Sequence, residues 1–168
     1  MNHPILIAAT LGMAGATAAH AQDGRLIGMT RAIGVAERHL SGRAIEADLE
    51  TRGGRLVYEI DLVRGSTLHR AQVDAHNAKL VAVVKPRVEN WMRSWLDGER
   101  LRQGARAVPL AARLAQLEQR TGGEVKEVEF EVEKGRGVYG IELATAAGIG
   151  DVRIDAATGK RIELATTD

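Results

Sequence analysis

The stretch Ile154–Leu164, IDAATGKRIEL, has a counterpart that begins at Val73 and reads VDAHNAKLVAV. The two stretches lie 81 positions apart, and the same spacing aligns the motif VYEIDL of the first half with VYGIEL of the second. Without any gap, Gly28–Val83 aligns with Pro109–Leu164. A similarity that keeps one spacing over such a length indicates a duplicated structural unit.

The sequence of each unit predicts one helix followed by four short strands. Apolar residues recur at helical spacing through Met29–Leu40 and through Leu110–Thr121. In the second unit, glutamates alternate strictly with Val128, Phe130 and Val132, which predicts a strand with one buried face and one polar face. The sequence therefore predicts an α+β fold made of two tandem repeats, each with one helix packed on a small antiparallel sheet.

The IDAATGK motif is interpreted as a hairpin turn, although a Gly-Lys pair also occurs in phosphate loops. A phosphate loop needs a longer glycine spacing and a following helix, and a calcium loop needs oxygen ligands where this motif has alanines. Asp155 can accept backbone hydrogen bonds and Gly159 can adopt a positive φ, a role that Asn77 can take in the first copy. The structural turn residues are Asp74, Lys79, Asp155, Gly159 and Lys160.

A helix, a VYEIDL-type strand and a VDAxxxK-type hairpin, found twice, resemble the PepSY domain in two tandem copies. The second copy keeps the family's hairpin pattern at Asp155, Gly159 and Lys160, whereas the first has Ala78 in place of the glycine. The resemblance implies a two-layer α/β fold similar to that of a β-lactamase inhibitor protein. It also implies an exported binding or inhibitory module that acts on a peptidase, a peptide or another envelope protein, without catalytic residues or a cofactor.

The N-terminus has the pattern of a secretory signal. An apolar run over residues 5–19 ends in Ala19-His20-Ala21, which predicts cleavage after Ala21. The segment before the run lacks Lys and Arg, so an uncleaved anchor is the rival interpretation, although a membrane span needs about 20 apolar residues. We expect a soluble periplasmic or secreted chain from Gln22 onward, with no membrane span after cleavage.

Composition argues against one class of partner, and the signal segment and the two repeats define the predicted organisation of the chain. A net charge of +1 and five aromatic residues argue against a nucleic-acid binder. The predicted organisation is a signal peptide at 1–21, a first repeat at 22–84, a linker helix with Trp91 and Trp95 at 85–108, and a second repeat at 109–168.

The candidate binding residues are acidic and aromatic. Glu127, Glu129 and Glu131 share one strand face that Glu142 extends, whereas Lys85–Arg106 holds six basic and three acidic residues. The basic helix could cover the acidic face, or the face could stay open for a basic partner. Likewise, Trp91 and Trp95 could pack on the repeats or anchor a partner. We expect the tryptophans to pack near the repeat junction and the acidic face to stay open.

The sequence gives little support to metal binding or to catalysis. His69, Asp74 and His76 form a loose two-histidine, one-carboxylate set, which is the basis of an alternative function as a periplasmic metal or ligand sensor. No serine lies in a nucleophile motif, and a flat row of glutamates lacks the apolar pocket that raises the pKa of a catalytic acid. The sequence therefore predicts a protein that is not an enzyme.

Overall fold

The computed structural model describes residues 24–85 and 91–162, with residues 91–97 described by their backbone alone. The predicted signal segment, the side chains of Trp91 and Trp95 and the last six residues lie outside this description. The elements, in chain order, are α1 (Met29–Leu40), β1 (Arg43–Arg52), β2 (Arg55–Arg64), β3 (Thr67–Asp74), β4 (Leu80–Val84), α2 (Trp91–Ala105), α3 (Leu110–Thr121), β5 (Glu124–Glu133), β6 (Arg136–Thr145) and β7 (Gly148–Asp155).

The seven strands of the described residues form one antiparallel sheet in the order β4-β3-β2-β1-β5-β6-β7. The α+β class is confirmed, but the prediction of a separate small sheet in each repeat is wrong. The sheets join where Ala47 of β1 pairs with Val128 of β5, and these two residues are equivalent in the repeat alignment. The first strand of each repeat would otherwise lie at a sheet edge with unpaired backbone groups, and this pairing places both strands inside one sheet. The repeats are thus related as in a symmetric dimer.

The core lies between the sheet and the helices α1 and α3. Each helix has an apolar stripe, and α1 contacts α3 as well as the central strands. Buried residues of this layer include Ala32, Ile33, Ala36, Leu110, Leu114, Tyr58, Ile60, Leu62, Tyr139, Ile141 and Leu143. Both β1 and β5 carry a bulge at the same place in the repeat, after Ala44 and after Val125.

Glu37 of α1 is buried and connects the two repeats. Its carboxylate accepts hydrogen bonds from the backbone nitrogens of Leu110 (3.0 Å) and Ala111 (3.2 Å) at the start of α3. It also accepts one from the nitrogen of Ala44 on β1 (3.3 Å). The residue before α3 is a proline that provides no side-chain cap, so Glu37 satisfies amides that a helix start leaves without partners. The first repeat therefore caps the helix of the second.

The two hairpin turns have matching hydrogen bonds. Asp74 Oδ1 accepts from the nitrogens of His76 and Asn77, and Asp155 Oδ1 accepts from the nitrogen and hydroxyl of Thr158. A hydrogen bond from Arg136 is the main cause that lowers the pKa of Asp155. These contacts place each aspartate in the turn as a backbone acceptor.

The positive φ of the turn falls at equivalent positions in the two copies. Gly159 has φ 69°, as the sequence predicts, but in the first copy Ala78, and not Asn77, takes the left-handed conformation, with φ 62°. The expectation for Asn77 is therefore wrong. Its side-chain oxygen instead accepts a hydrogen bond from the nitrogen of Lys79 at 2.9 Å.

Exchanging the residues at these two positions is expected to change stability in opposite directions. Ala78→Gly should raise the free energy of unfolding by up to about 1 kcal/mol, because glycine adopts a positive φ without strain. Gly159→Ala should lower it by roughly 1 kcal/mol or more. The added Cβ would also lie 2.6 Å from Nε of Arg113. Urea unfolding of the two variants measures both effects, and two unchanged midpoints would contradict this account of the turns.

The C-terminal part of α2 packs at the repeat junction. The helix contacts β1, β2, β5 and β6. An added Cβ on Gly104 would lie 2.8 Å from Ile45 and 3.1 Å from Val63, so the helix backbone lies directly on these side chains. Because residues alternate along a strand, Val63 shares a face of β2 with Glu59 and Asp61. This end of α2 therefore covers part of the acidic face of the first repeat.

Candidate functional site

Acidic side chains of the second repeat line up across three neighbouring strands. Glu127 on β5 pairs directly with Glu142 on β6, and Glu142 pairs with Asp151 on β7. We call these three residues the carboxylate row. Like charges that lie directly opposite each other destabilise a sheet, so this arrangement carries an electrostatic cost.

The row lies in a shallow groove of about 460 Å³ on the sheet surface. Glu129 and Glu131 add two more exposed carboxylates along β5, and Gly140 leaves the space above β6 open, since no atom lies within 4 Å of a Cβ added there. The one basic lining residue among those described is Arg153, which pairs with Glu133 and lies 3.7 Å from Glu131. We call this surface the acidic groove.

The equivalent row of the first repeat consists of Glu46, Asp61 and Arg70. The guanidinium group of Arg70 donates two hydrogen bonds to the carboxylate of Asp61, at 2.7 and 2.9 Å. At the other end, Nη2 of Arg100 on α2 lies 2.6 Å from Oε2 of Glu46. The first row is therefore neutralised by cations of the chain itself.

Glu59 extends the neutralised network of the first repeat. Arg70 reaches its carboxylate at 2.9 Å, and Arg52 forms two hydrogen bonds with it, at 3.0 and 3.1 Å. Gln72 donates a third, at 3.2 Å. The equivalents of Glu59, Arg52, Arg70 and Gln72 in the second repeat are Gly140, Glu133, Asp151 and Arg153. The second repeat thus lacks the side chains that form this network.

Negative charge accumulates at the junction between the repeats. Burial raises the pKa of Glu127, and the neighbouring charges of Glu129, Glu142 and Glu46 add to the effect. Burial is the main cause that raises the pKa of Asp48 to about 6, and repulsion from other carboxylates of β1 and β2 adds to it. Because this folded-state pKa is raised, the stabilising contribution of Asp48 is fully present below about pH 4 and is lost as the pH rises through about 6.

The structure brings the four acidic candidates of the sequence together. Glu127, Glu129, Glu131 and Glu142 share one surface, whereas the side chains of Trp91 and Trp95 lie outside the described residues. The sequence prediction missed Asp151, the third member of the row. The repeat alignment holds the signal that could have found it, because Asp151 stands where the first copy has Arg70.

The geometry does not support the alternative metal set. His69 is the third residue of β3 and Asp74 is its last, so their backbones lie roughly 17 Å apart at the usual rise per strand residue. Among residues 24–85 and 91–162, no group of three His, Cys, Asp or Glu side chains has a geometry that could hold a metal ion. In the same described part of the chain, no helix has the length and hydropathy that a membrane span requires.

Comparison with known proteins gives one family match and a similar solved structure. The model of the PepSY family, described as the peptidase propeptide and YPEB domain, matches residues 26–84 and again 111–163. The crystal structure of a candidate lipoprotein from Clostridium difficile 630 is similar, with 15% identity and a TM-score of 0.41. That similarity covers 85% of this chain and 95% of the other. No curated protein matches the chain.

Proposed function

Because the chain belongs to the PepSY family, with one domain in each repeat, we propose that it is a non-catalytic accessory module of the cell envelope. In this proposal the acidic groove binds a basic surface of a peptidase or of another envelope protein. The first repeat and the C-terminal part of α2 serve as the scaffold that holds the groove.

The difference between the two carboxylate rows carries this proposal. In the first repeat, Arg70 and Arg100 neutralise the row. In the second repeat, the position of Arg70 is occupied by another acid, and within the described residues no Lys or Arg forms an ion pair with a member of the row. Repulsion within this row lowers stability, and a basic partner would remove that cost on binding.

Charge complementarity of this kind has measurable consequences. Long-range attraction between an acidic groove and a basic partner accelerates association and gives a salt-dependent affinity. Salt screens exposed charges beyond about 8 Å at physiological ionic strength. The proposal therefore predicts that partner binding weakens as salt is added and that this weakening depends on the groove glutamates.

Charge reversal of two groove residues tests the proposal. We expect Glu129→Lys/Glu131→Lys to weaken binding by about tenfold or more, because like charges placed across an interface cost several kcal/mol. The matched control is Glu99→Lys/Glu124→Lys, which makes the same change of net charge at two residues that do not line the groove.

The measurement has two stages. Immobilised wild-type chain captures candidate partners from an envelope extract, and each purified candidate is then titrated by calorimetry at several salt concentrations. A partner that is a peptidase is also assayed for inhibition. Equal affinities for the groove variant and the control, or unfolding of the groove variant alone, would contradict the proposal.

A further inference from the structure

The first repeat contains a template for the ligand of the second. We infer that the carboxylate row of the second repeat binds an arginine side chain of the partner, at the place that the Arg70 guanidinium occupies in the first repeat. This inference rests on the proposed function and adds the chemical identity of the group that the groove recognises.

The template is the guanidinium of Arg70 on β3, held by two carboxylates of the neighbouring strand β2. Asp61 on β2 pairs with Arg70 on β3, and both oxygens of Asp61 accept hydrogen bonds from this guanidinium. The third contact of Arg70 is with Glu59, two residues before Asp61 on the same strand face. Both carboxylates are buried, at 7% and 6% exposure, so these charge-assisted bonds are partly shielded from water.

The second repeat keeps one of the two acceptors and loses the donor. Glu142 stands where Asp61 stands, and its direct partner on β7 is Asp151 in place of Arg70. Glu127 pairs with Glu142 from the other side, so a cation above β6 would meet carboxylates from three strands. In the first repeat the equivalent acceptor, Asp61, binds a guanidinium. The comparison therefore indicates which group the acidic residues of the second repeat bind, and not only that they are in excess.

The second repeat also has room for this group. Gly140 replaces Glu59, and no atom lies within 4 Å of a Cβ added at this glycine. The resulting groove of about 460 Å³ is open toward the solvent side of β5–β7. A side chain from a partner can therefore reach Glu142 from above the sheet without displacing any residue of the described chain.

Arginine fits this row better than lysine does. Its planar guanidinium offers five N–H donors in a fixed fork and binds carboxylates through two bonds at once, whereas a lysine ammonium acts as a point charge. Carboxylates on three strands suit a flat, forked donor. The described residues provide no group of three ligands with metal geometry, so a bound metal ion explains the row less well.

Short peptides provide a defined probe of this site. The chain from Gln22 onward, labelled with ¹⁵N, is titrated with acetyl-Gly-Arg-Gly-Arg-Gly-amide and with the peptide that has lysine at both arginine positions. We expect saturable shifts at the amides of Glu142 and Asp151, with the arginine peptide binding at least about threefold tighter because only arginine forms the bidentate pair.

Asp151→Arg is the decisive variant because it gives the second repeat its own equivalent of Arg70. We expect this internal guanidinium to lower affinity for the arginine peptide by about tenfold or more, since it occupies the row and removes an acceptor. Glu124→Arg makes the same change of charge outside the groove and should keep most of the affinity. If Asp151→Arg does not fold, Asp151→Asn replaces it, with an expected loss of about threefold.

The outcomes separate this inference from the proposed function. Equal affinity for the two peptides, shifts outside the groove, or an unchanged affinity in the Asp151 variants would overturn the inference. If the Glu129/Glu131 reversal weakens partner binding while Asp151→Arg leaves it unchanged, the groove binds a partner but not through an arginine in the row. If neither changes partner binding, both proposals fail.

Discussion

Replacing Glu37 with Ala is expected to lower the free energy of unfolding by about 4 kcal/mol, because it leaves three backbone amides without an acceptor. Two of these amides, on Leu110 and Ala111, begin α3, and the third, on Ala44, belongs to β1. An unsatisfied buried donor costs roughly 1–3 kcal/mol, and hydrogen bonds to a charged acceptor are the stronger kind. From its place on α1, this one side chain therefore satisfies backbone groups of two other elements, α3 and β1.

The repeat provides a matched control for this prediction. Glu118 of α3 is the equivalent of Glu37, but its carboxylate accepts a single backbone hydrogen bond, from the nitrogen of Val125 at 3.0 Å. Glu118→Ala should therefore cost only about 1 kcal/mol. Urea unfolding monitored by circular dichroism compares the two variants. Equal losses would mean that the contact between the repeats contributes nothing beyond a local cap.

Much of the local structure could be predicted from the sequence. The predicted helices coincide with α1 and α3, and the alternation around Phe130 marks β5 correctly, because helical and strand periodicities are properties of neighbouring residues. The duplicated spacing also predicted that both copies share one architecture. In that respect the two copies even have the same bulge after Ala44 and after Val125.

The union of the two sheets could not be predicted in the same way. A strand with one polar face has the same alternation whether it lies at an edge or at the centre of a sheet. The pairing of Ala47 with Val128 joins residues far apart in the chain, and no local pattern encodes it. The local sequence also did not identify the residue that adopts the left-handed conformation in the first turn. Ala78 adopts it, whereas it was expected for Asn77.

Part of the candidate site could be predicted from the sequence. The glutamates of β5 share a face because of strand alternation, and their grouping follows from local sequence alone. Asp151 was missed because it lies on β7, and only the pairing of that strand with β6 places it beside Glu142. The functional contrast between the two rows needed the cross-strand register, which showed that Asp151 replaces an arginine that neutralises its neighbour.

Tyr139 is the second position at which a large effect is expected. Its ring is completely buried and lies edge-on to Phe130, with 5.2 Å between the ring centres. The hydroxyl donates a hydrogen bond of 2.6 Å to the carbonyl oxygen of Ala44, which belongs to the other repeat. Burial and the nearby charge of Glu37 raise the pKa of Tyr139, so the hydroxyl stays protonated and remains a donor.

Two substitutions at this position separate packing from hydrogen bonding. Tyr139→Ala should cost about 4 kcal/mol, because it removes a large buried ring and leaves a cavity. Tyr139→Phe keeps the ring and should cost about 1–2 kcal/mol, since the carbonyl of Ala44 loses its buried donor. Tyr58→Phe is the matched control, because Tyr58 is the equivalent residue and its hydroxyl lies near Gly28 of its own repeat.

The shape of the unfolding curve also tests whether the joined sheet behaves as one unit. Because Tyr139 connects the second repeat to Ala44 of the first, Tyr139→Phe should shift a single cooperative transition that fluorescence and circular dichroism report together. Two separate transitions, with only the later strands destabilised, would mean that the repeats fold independently. In that case the β1–β5 junction would be a contact between two domains and not the centre of one sheet.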